Sequence, residues 1–289
     1  MPRRLPLPVM TTLLIAATLY LVPHSAAETP REQAWSVLDA GLSDSSVDKR
    51  TTAVQVLGLL PGDSKAKEAA LKALDDPKPE VRAAAVKALG AMKAKDTIPR
   101  LTQMINDTDA GVIMATGHAL IALGDNRGYN VYYAILTGER KTGTSLKDEQ
   151  KKMLNDPKKM AQFGFEQGIG FIPFAGLGYG AFKMVTKDNT SPVLAAAALT
   201  LAKDPDPKSG EALANTAADT RKNWIVRAAA LNAIALRGQT SLLPFAEDGL
   251  KDEKEEVRYS AAAAVIHLSD LDTRRAPAKA PAKSAPRKK

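Results

Sequence analysis

Apolar residues recur along this chain at the spacing of an α-helix, most clearly between residues 75 and 90. One face of the predicted helix collects the positions i, i+3, i+4, i+7 and i+8, which are Val81, Ala84, Ala85, Ala88 and Leu89. Asp76 and Pro77 are typical of a helix start, and Gly90 is typical of a helix end. The pattern therefore predicts a short amphipathic helix whose buried face is mostly alanine.

The same apolar block returns at five other places in the chain. The equivalent starting positions are Lys49, Val81, Val112, Val193, Val226 and Val257. Successive starts differ by 32, 31, 81, 33 and 31 residues, and a nearly fixed period of this size is typical of stacked helical repeats. The long interval predicts an insertion of about 50 residues in one repeat. We therefore expect an all-α solenoid of about six helix pairs with one inserted segment.

Charged residues accompany the blocks at fixed positions. An aspartate lies five residues before five of the six starts, and an arginine directly follows four of them. These residues are Asp44, Arg50, Asp76, Arg82, Asp107, Asp188, Arg227, Asp252 and Arg258. The combination resembles the HEAT repeat, and more closely the phycobilisome-lyase HEAT-like repeat of bacteria, over most of residues 31–273.

The resemblance implies a right-handed α-α superhelix of the HEAT/armadillo-like kind. It also implies that the aspartate caps the second helix of each pair, and that aspartates and arginines form a ladder between neighbouring repeats. The first predicted helix, which contains Trp35 and Leu38, is expected to cap the N-terminal end of the stack. HEAT-like repeats serve many unrelated proteins, so the resemblance implies the fold more strongly than the function.

The N-terminal residues 1–27 have the three parts of a secretory signal peptide. Arg3 and Arg4 precede an uncharged, mostly apolar run at 9–22, and small residues lead up to a cleavage position after Ala27. The apolar run has 14 residues, which is too short to cross a bilayer comfortably. The sequence therefore predicts export to the periplasm or the outside of the cell.

The formal net charge of +8 is concentrated outside the repeats. The tail 274–289 carries seven basic residues and no acidic one, whereas 28–273 carries 31 basic and 32 acidic residues. The repeat domain is thus nearly neutral, and its charge does not indicate nucleic-acid binding. We expect the Ala/Pro/Lys tail to be extended and disordered.

The sequence offers few candidates for catalytic or metal-binding residues. It has no cysteine, which excludes thiol catalysis, disulfides and cysteine-based metal sites. HEAT-like deoxyhypusine hydroxylase binds iron through His-Glu pairs, but here His118 precedes Ala119 and His267 precedes Leu268. We therefore predict no catalytic, cofactor-binding or metal-binding residues, and interpret both histidines as helix-surface or packing residues.

The insertion is predicted at about 138–187, between the two helices of one repeat. Its run 163–182 holds six glycines and five of the six phenylalanines of the chain. Three roles stay open: a structural plug over the solenoid, a protein-binding patch, or contact with a membrane surface. The candidate contact residues are Phe163, Phe165, Phe171, Ile172, Phe174, Leu177, Tyr179 and Phe182.

We interpret the chain as an exported, non-enzymatic scaffold that binds a protein partner through the solenoid surface. The alternative is a structural protein associated with a membrane or the cell envelope through the Gly/Phe-rich insertion and the basic tail. A third hypothesis is an enzyme related to the bilin lyases.

Overall fold

The computed structural model describes residues 28–137 and 191–275. Both ranges consist of α-helices joined by turns and short 3-10 segments, and neither contains a strand. The first range contains α1 Pro30–Leu42, α2 Val47–Val56, α3 Ser64–Ala73, α4 Pro79–Ala91, α5 Ile98–Met104, α6 Ala110–Ala122 and α7 Arg127–Thr137. The second contains α8 Ser191–Leu201, α9 Pro207–Ala218, α10 Trp224–Arg237, α11 Leu243–Gly249 and α12 Glu255–Arg275. The prediction of an all-α helical solenoid is confirmed.

Consecutive helices pack as pairs, and their apolar stripes form the core. The pairs are α1–α2, α3–α4, α5–α6, α9–α10 and α11–α12. In α4, all five residues of the predicted stripe are at most 2% exposed. Neighbouring second helices also pack on each other, as α4 does on α2 and α6. These contacts form one apolar core, which contains buried residues of both described ranges.

The ends of α4 differ from the sequence prediction. Lys78 occupies the N-cap position and Pro79 the first turn, so the helix begins two residues later than Asp76 and Pro77 suggested. Gly90 lies inside α4, which continues to Ala91, and a Cβ atom at Gly90 would lie 3.1 Å from the Ala119 Cβ. The glycine therefore allows α4 to approach α6 closely and does not end the helix.

The order of helices along the stack differs from their order in the sequence. Helix α8 packs on α10, and α10 packs on α12. Helix α12 then packs on α1 and α2, which begin the chain's other half. The second helices therefore follow the order α8, α10, α12, α2, α4 and α6. The two described ranges form one continuous stack, in which they meet where α12 packs on α1 and α2.

The prediction that α1 caps one end of the stack is wrong. Ala34, Trp35 and Leu38 are at most 4% exposed, because α12 covers the face of α1 that a terminal helix would leave open. Helix α1 thus lies between α12 and α2, inside the stack. The chain enters the described fold at residue 28 and leaves it at residue 275 in the middle of the solenoid.

The predicted pairing around the insertion is also wrong. Helix α7 packs on α6, whereas α8 packs on α10 and α9, and α7 and α8 do not form a packed pair. In sequence, residues 138–190 therefore join helices at opposite ends of the described stack and do not lie inside one helix pair. The predicted insertion at 138–187 lies outside the described residues. In the parts that the structure describes, no helix is long and apolar enough to cross a membrane.

Candidate functional site

Three arginines of the predicted ladder contact aspartates of the next repeat. The pairs are Arg50–Asp76, Arg82–Asp107 and Arg227–Asp252, with shortest nitrogen–oxygen distances of 2.9, 2.7 and 2.8 Å. In each pair, both Nε and Nη2 of the guanidinium donate to the carboxylate. The remaining Nη1 donates to carbonyl oxygens of the turn before its own helix. Each arginine therefore fixes its own turn and the following repeat together.

The ladder aspartates do not cap the second helices, contrary to what the resemblance implied. The Asp76 carboxylate accepts a hydrogen bond from the Lys78 N–H at 2.8 Å, and Asp107 accepts from the Asp109 N–H at the same distance. Both aspartates lie two residues before the N-cap, so their carboxylates reach the turn and not the first helical turn. The cap of α6 is Asp109 itself, which accepts from the Val112 N–H.

The ladder holds the carboxylates of Asp76 and Asp107 in the charged form. Burial alone would raise the pKa of Asp76, but the hydrogen bonds from Arg50 and from the Lys78 N–H lower that pKa below its usual value. The same balance, with Arg82 as the side-chain donor, lowers the pKa of Asp107. The hydrogen bonds with Asp107 in turn raise the pKa of Arg82. These pairs therefore act as permanent charges that align neighbouring repeats.

The ladder changes its chemistry where α12 meets α1 and α2, an interface that we call the joint. Arg258 and Asp44 occupy the ladder positions on the two sides of the joint. Arg258 lies 3.3 Å from Glu255, and the Lys49 Nζ lies 2.7 Å from Glu255 and 3.3 Å from Asp44. A lysine thus bridges the two sides, in a cluster of two acidic and two basic side chains. The predicted ladder residue Asp188 and the eight apolar candidates between Phe163 and Phe182 lie outside the described residues.

Apolar packing and a second set of ion pairs complete the joint. Tyr259 of α12 is 4% exposed. A Cβ atom on Gly41 would lie 2.6 Å from the Tyr259 Cε1 and 2.9 Å from the Ala53 Cβ, so only glycine fits there. At the edge of the joint, the Arg31 guanidinium lies 2.8 Å from Asp270 and 2.8 Å from Asp63. The joint is therefore held by buried apolar packing as well as by ion pairs.

One row of side chains stays accessible on the second helices of the first range. Gln55, Lys87 and His118 occupy equivalent positions in α2, α4 and α6, and we call this row the second-helix face. Lys87 is exposed and the other two are half-buried. Burial lowers the pKa of His118, and the nearby Lys87 lowers it further. At neutral pH the row therefore carries one positive charge beside a neutral imidazole.

In the other half of the solenoid, Leu199 of α8 is half-buried, but the equivalent positions of α10 and α12 are closed. Asn232 and Ala263 are fully buried, and the Asn232 side-chain amide donates to the Ser260 hydroxyl at 3.0 Å. This difference could not be predicted from the sequence, because the alanine-rich blocks look alike in both halves. A polar side chain at the seventh position of the first three blocks was a signal for the open row, but Asn232 carries the same signal and is buried.

The histidines do not form a metal site with other residues that the structure describes. No group of three or more His, Cys, Asp or Glu side chains is placed to hold a metal ion within 28–137 and 191–275. Burial lowers the pKa of His267, against the opposing charge of Asp270 and with the help of Arg274. The two histidines belong to different helices, α6 and α12.

The repeats match a known family. The model for HEAT repeats matches residues 36–123 and 181–266, which together make up more than half of the chain. The chain therefore belongs to the HEAT repeat family. The two matched ranges leave a gap at 124–180, which contains all but the last two residues of the Gly/Phe-rich run 163–182. Among curated proteins, none matches the chain.

Several solved structures are similar at low sequence identity. Human deoxyhypusine hydroxylase is 18% identical, with 83% of this chain and 85% of that chain covered and a TM-score of 0.30. The complex of CpcE and CpcF of phycocyanin lyase from Nostoc is 18% identical, with 89% and 98% covered and a TM-score of 0.32. A designed armadillo repeat protein is 16% identical, with 83% and 100% covered and a TM-score of 0.24. At this level the likeness carries no inference about activity.

Proposed function

We propose that the chain is an exported, non-enzymatic scaffold that binds a protein partner through the second-helix face. The observation that carries the proposal is a contrast along the stack: the row at Gln55, Lys87 and His118 is accessible, whereas the equivalent positions of α10 and α12, Asn232 and Ala263, are buried. Stacked repeats commonly bind partners along such a face, because it is long, rigid and made of equivalent positions.

The side chains around the row indicate the chemistry of the partner. Met114 and Ile121 are half-buried on α6 and flank His118, so apolar surface adjoins the exposed ammonium group of Lys87. Such a surface fits an amphipathic segment that brings an acidic side chain to Lys87 and apolar side chains to α6. We expect one such segment to lie across α2, α4 and α6.

Affinity capture from the native cell envelope tests this proposal. The mature protein and its Lys87→Glu/Met114→Asp variant are used as baits, and Lys251→Glu is the matched control because the Lys251 side chain is 82% exposed on the other half. We expect one captured protein to be lost with the double variant and kept with the control. Equal capture by all three baits would place the binding surface elsewhere.

The alternative is contact with an anionic membrane or with the cell envelope. The observation in its favour is the contact between Arg31 and Asp270, because it places the chain's entry into the fold beside its exit. The end of α12, after which the basic tail continues in the sequence, therefore lies near Glu28, the expected first residue of the mature chain. Co-sedimentation with phosphatidylglycerol vesicles, with and without residues 276–289, tests this alternative. Loss of binding on removal of the tail supports it, and absence of binding by the mature chain refutes it.

Export itself is a separate proposal that rests on residues 1–27. We expect the protein to be found in the periplasm or outside the cell with Glu28 as its first residue. Mass spectrometry of the intact protein from fractionated cells measures this mass directly. A protein that keeps its first 27 residues in the cytoplasmic fraction would contradict export.

A further inference from the structure

The joint brings together parts of the chain that lie far apart in the sequence. Helices α1 and α2 supply one side, and α12 supplies most of the other. No short loop links the two sides; the chain passes from one to the other only through the remaining repeats and residues 138–190. Packing and ion pairs alone therefore hold the joint closed.

The joint differs from the other contacts between repeats in the helices that form it. Helix α12 packs mainly on α1 and less extensively on α2, whereas elsewhere the second helices pack mainly on each other. The Tyr259 ring, packed against Gly41, makes the apolar contact, and Lys49 and Glu255 make a polar one. Any copy of residues 28–137 presents the same surface to α12.

We propose that a second copy of this chain fits the joint, so that residues 191–275 of one copy stack on residues 28–137 of another. Reciprocal exchange gives a closed dimer in which both joints are formed. This inference goes beyond the proposed function and does not depend on the identity of any other partner.

The competition between the two arrangements depends on concentration. Within one copy, the two halves are joined by the 53 residues 138–190. For flexible linkers in general, a length of about 50 residues corresponds to an effective concentration on the order of a millimolar or less. Pairing within one copy therefore dominates at micromolar concentrations, and exchange between copies becomes important as the concentration approaches that value.

The charges at the joint allow exchange to be forced. Asp44 and Lys49 lie on one side, and Glu255 and Arg258 lie on the other, so the cluster is balanced. The variant Lys49→Glu has three acidic residues and one basic residue in its own joint, and the variant Glu255→Lys has the reverse. If the two variants exchange halves, one joint combines both substitutions and the other keeps the native pair, so both joints are balanced again.

The experiment uses full mature chains of the two variants, one of them labelled with nitrogen-15, which are unfolded, mixed and refolded together. Relief of repulsion should favour exchange about tenfold per joint, and roughly a hundredfold for two joints. At roughly 100 µM, which is below the effective concentration, we expect native mass spectrometry to show mainly a dimer of one copy each. Each variant alone, the wild type and the chain that carries both substitutions should remain mostly monomeric.

Two results would overturn the proposal. If both variants fold alone and their mixture stays monomeric, the joint does not accept a second copy. If each variant alone dimerises as strongly as the mixture, another surface causes the association. Should either variant fail to fold, Arg31→Asp and Asp270→Arg provide an independent complementary pair across the same joint, with the same expected and contradicting results.

Discussion

Replacing Arg227 by leucine tests whether the ladder stabilises the stack. The Arg227 and Asp252 side chains are only 3% and 7% exposed, and two guanidinium nitrogens donate to the carboxylate at 2.8 and 2.9 Å. A third nitrogen donates to the Lys222 carbonyl oxygen at 2.6 Å. The substitution leaves a buried carboxylate that keeps a hydrogen bond from the Lys254 N–H but loses its counter-charge.

The expected cost is large because one charge stays buried. Removal of one partner of a buried ion pair costs about 3–5 kcal/mol, whereas replacement of both charges is often nearly neutral. The double variant Arg227→Leu/Asp252→Asn should therefore recover most of the loss, because asparagine keeps the acceptor for the turn. The control is Arg221→Leu, since Arg221 pairs with Asp219 at 2.8 Å but its side chain is 90% exposed. We expect little change from the control.

Equilibrium unfolding in urea, followed by circular dichroism, measures these differences on the mature chain. A loss of about 3–5 kcal/mol would consume a large part of the stability of an ordinary domain. If Arg227→Leu lowers the free energy of unfolding no more than Arg221→Leu does, the ladder is not a stabilising element. If the double variant is as unstable as the single one, the cost does not come from the uncompensated carboxylate.

Three further predictions concern the histidines and the small residues. The pKa values of His118 and His267 are lowered in the fold. The histidines of the unfolded chain, with a pKa of about 6.5, therefore bind more protons than those of the folded chain as the pH falls, and stability should decrease from pH 7 to pH 5. A variant with both histidines replaced by asparagine should show a smaller shift of the urea midpoint. Gly41→Leu should destabilise the protein by about 1–3 kcal/mol through a clash in the joint, whereas Gly111→Leu, at an exposed position of α6, should not. Equal urea midpoints for these two variants would contradict the packing of Tyr259 against Gly41. Ala229→Leu should cost about 1–3 kcal/mol, because Ala229 is 1% exposed, and an unchanged midpoint would refute that estimate.

The repeat period was sufficient to predict the elements of the fold and much of the ladder. Val81 and Leu89 mark the buried face of α4 because a helix places such positions on one side. The distance from Arg82 to the next aspartate, Asp107, repeats in other blocks, so their pairing could be expected from the sequence. The period describes local structure and nearest neighbours, and both are encoded within about 35 residues of sequence.

The joint and the open face could not be predicted in this way. The pairing of α7 with α8 was assumed because repeats that are consecutive in sequence are usually neighbours in space. Gly41 and Tyr259 are more than 200 residues apart, and no periodicity indicates that they touch. Lys87 and Asn232 occupy equivalent positions, and only the packing of the whole stack makes one exposed and the other buried.

The order of the helices along the stack is tested most directly by two chains of identical composition. Both contain residues 28–137 and 191–275 and lack 138–190. One chain joins residue 275 to residue 28, and the other joins residue 137 to residue 191, each through the same Gly-Ser linker of about six residues, which spans at most roughly 20 Å.

The two ends of the stack are separated by five spacings of second helices, roughly 40–50 Å measured along the stack. The linker is too short to follow that path, whereas residues 275 and 28 leave the fold beside each other, near the Arg31–Asp270 contact. Urea unfolding with light scattering should show that the chain joined from 275 to 28 is a monomer with one cooperative transition. The chain joined from 137 to 191 should be less stable or should associate. If instead the second chain is the stable monomer and the first does not fold, the stack does not run from α12 to α1 and α2.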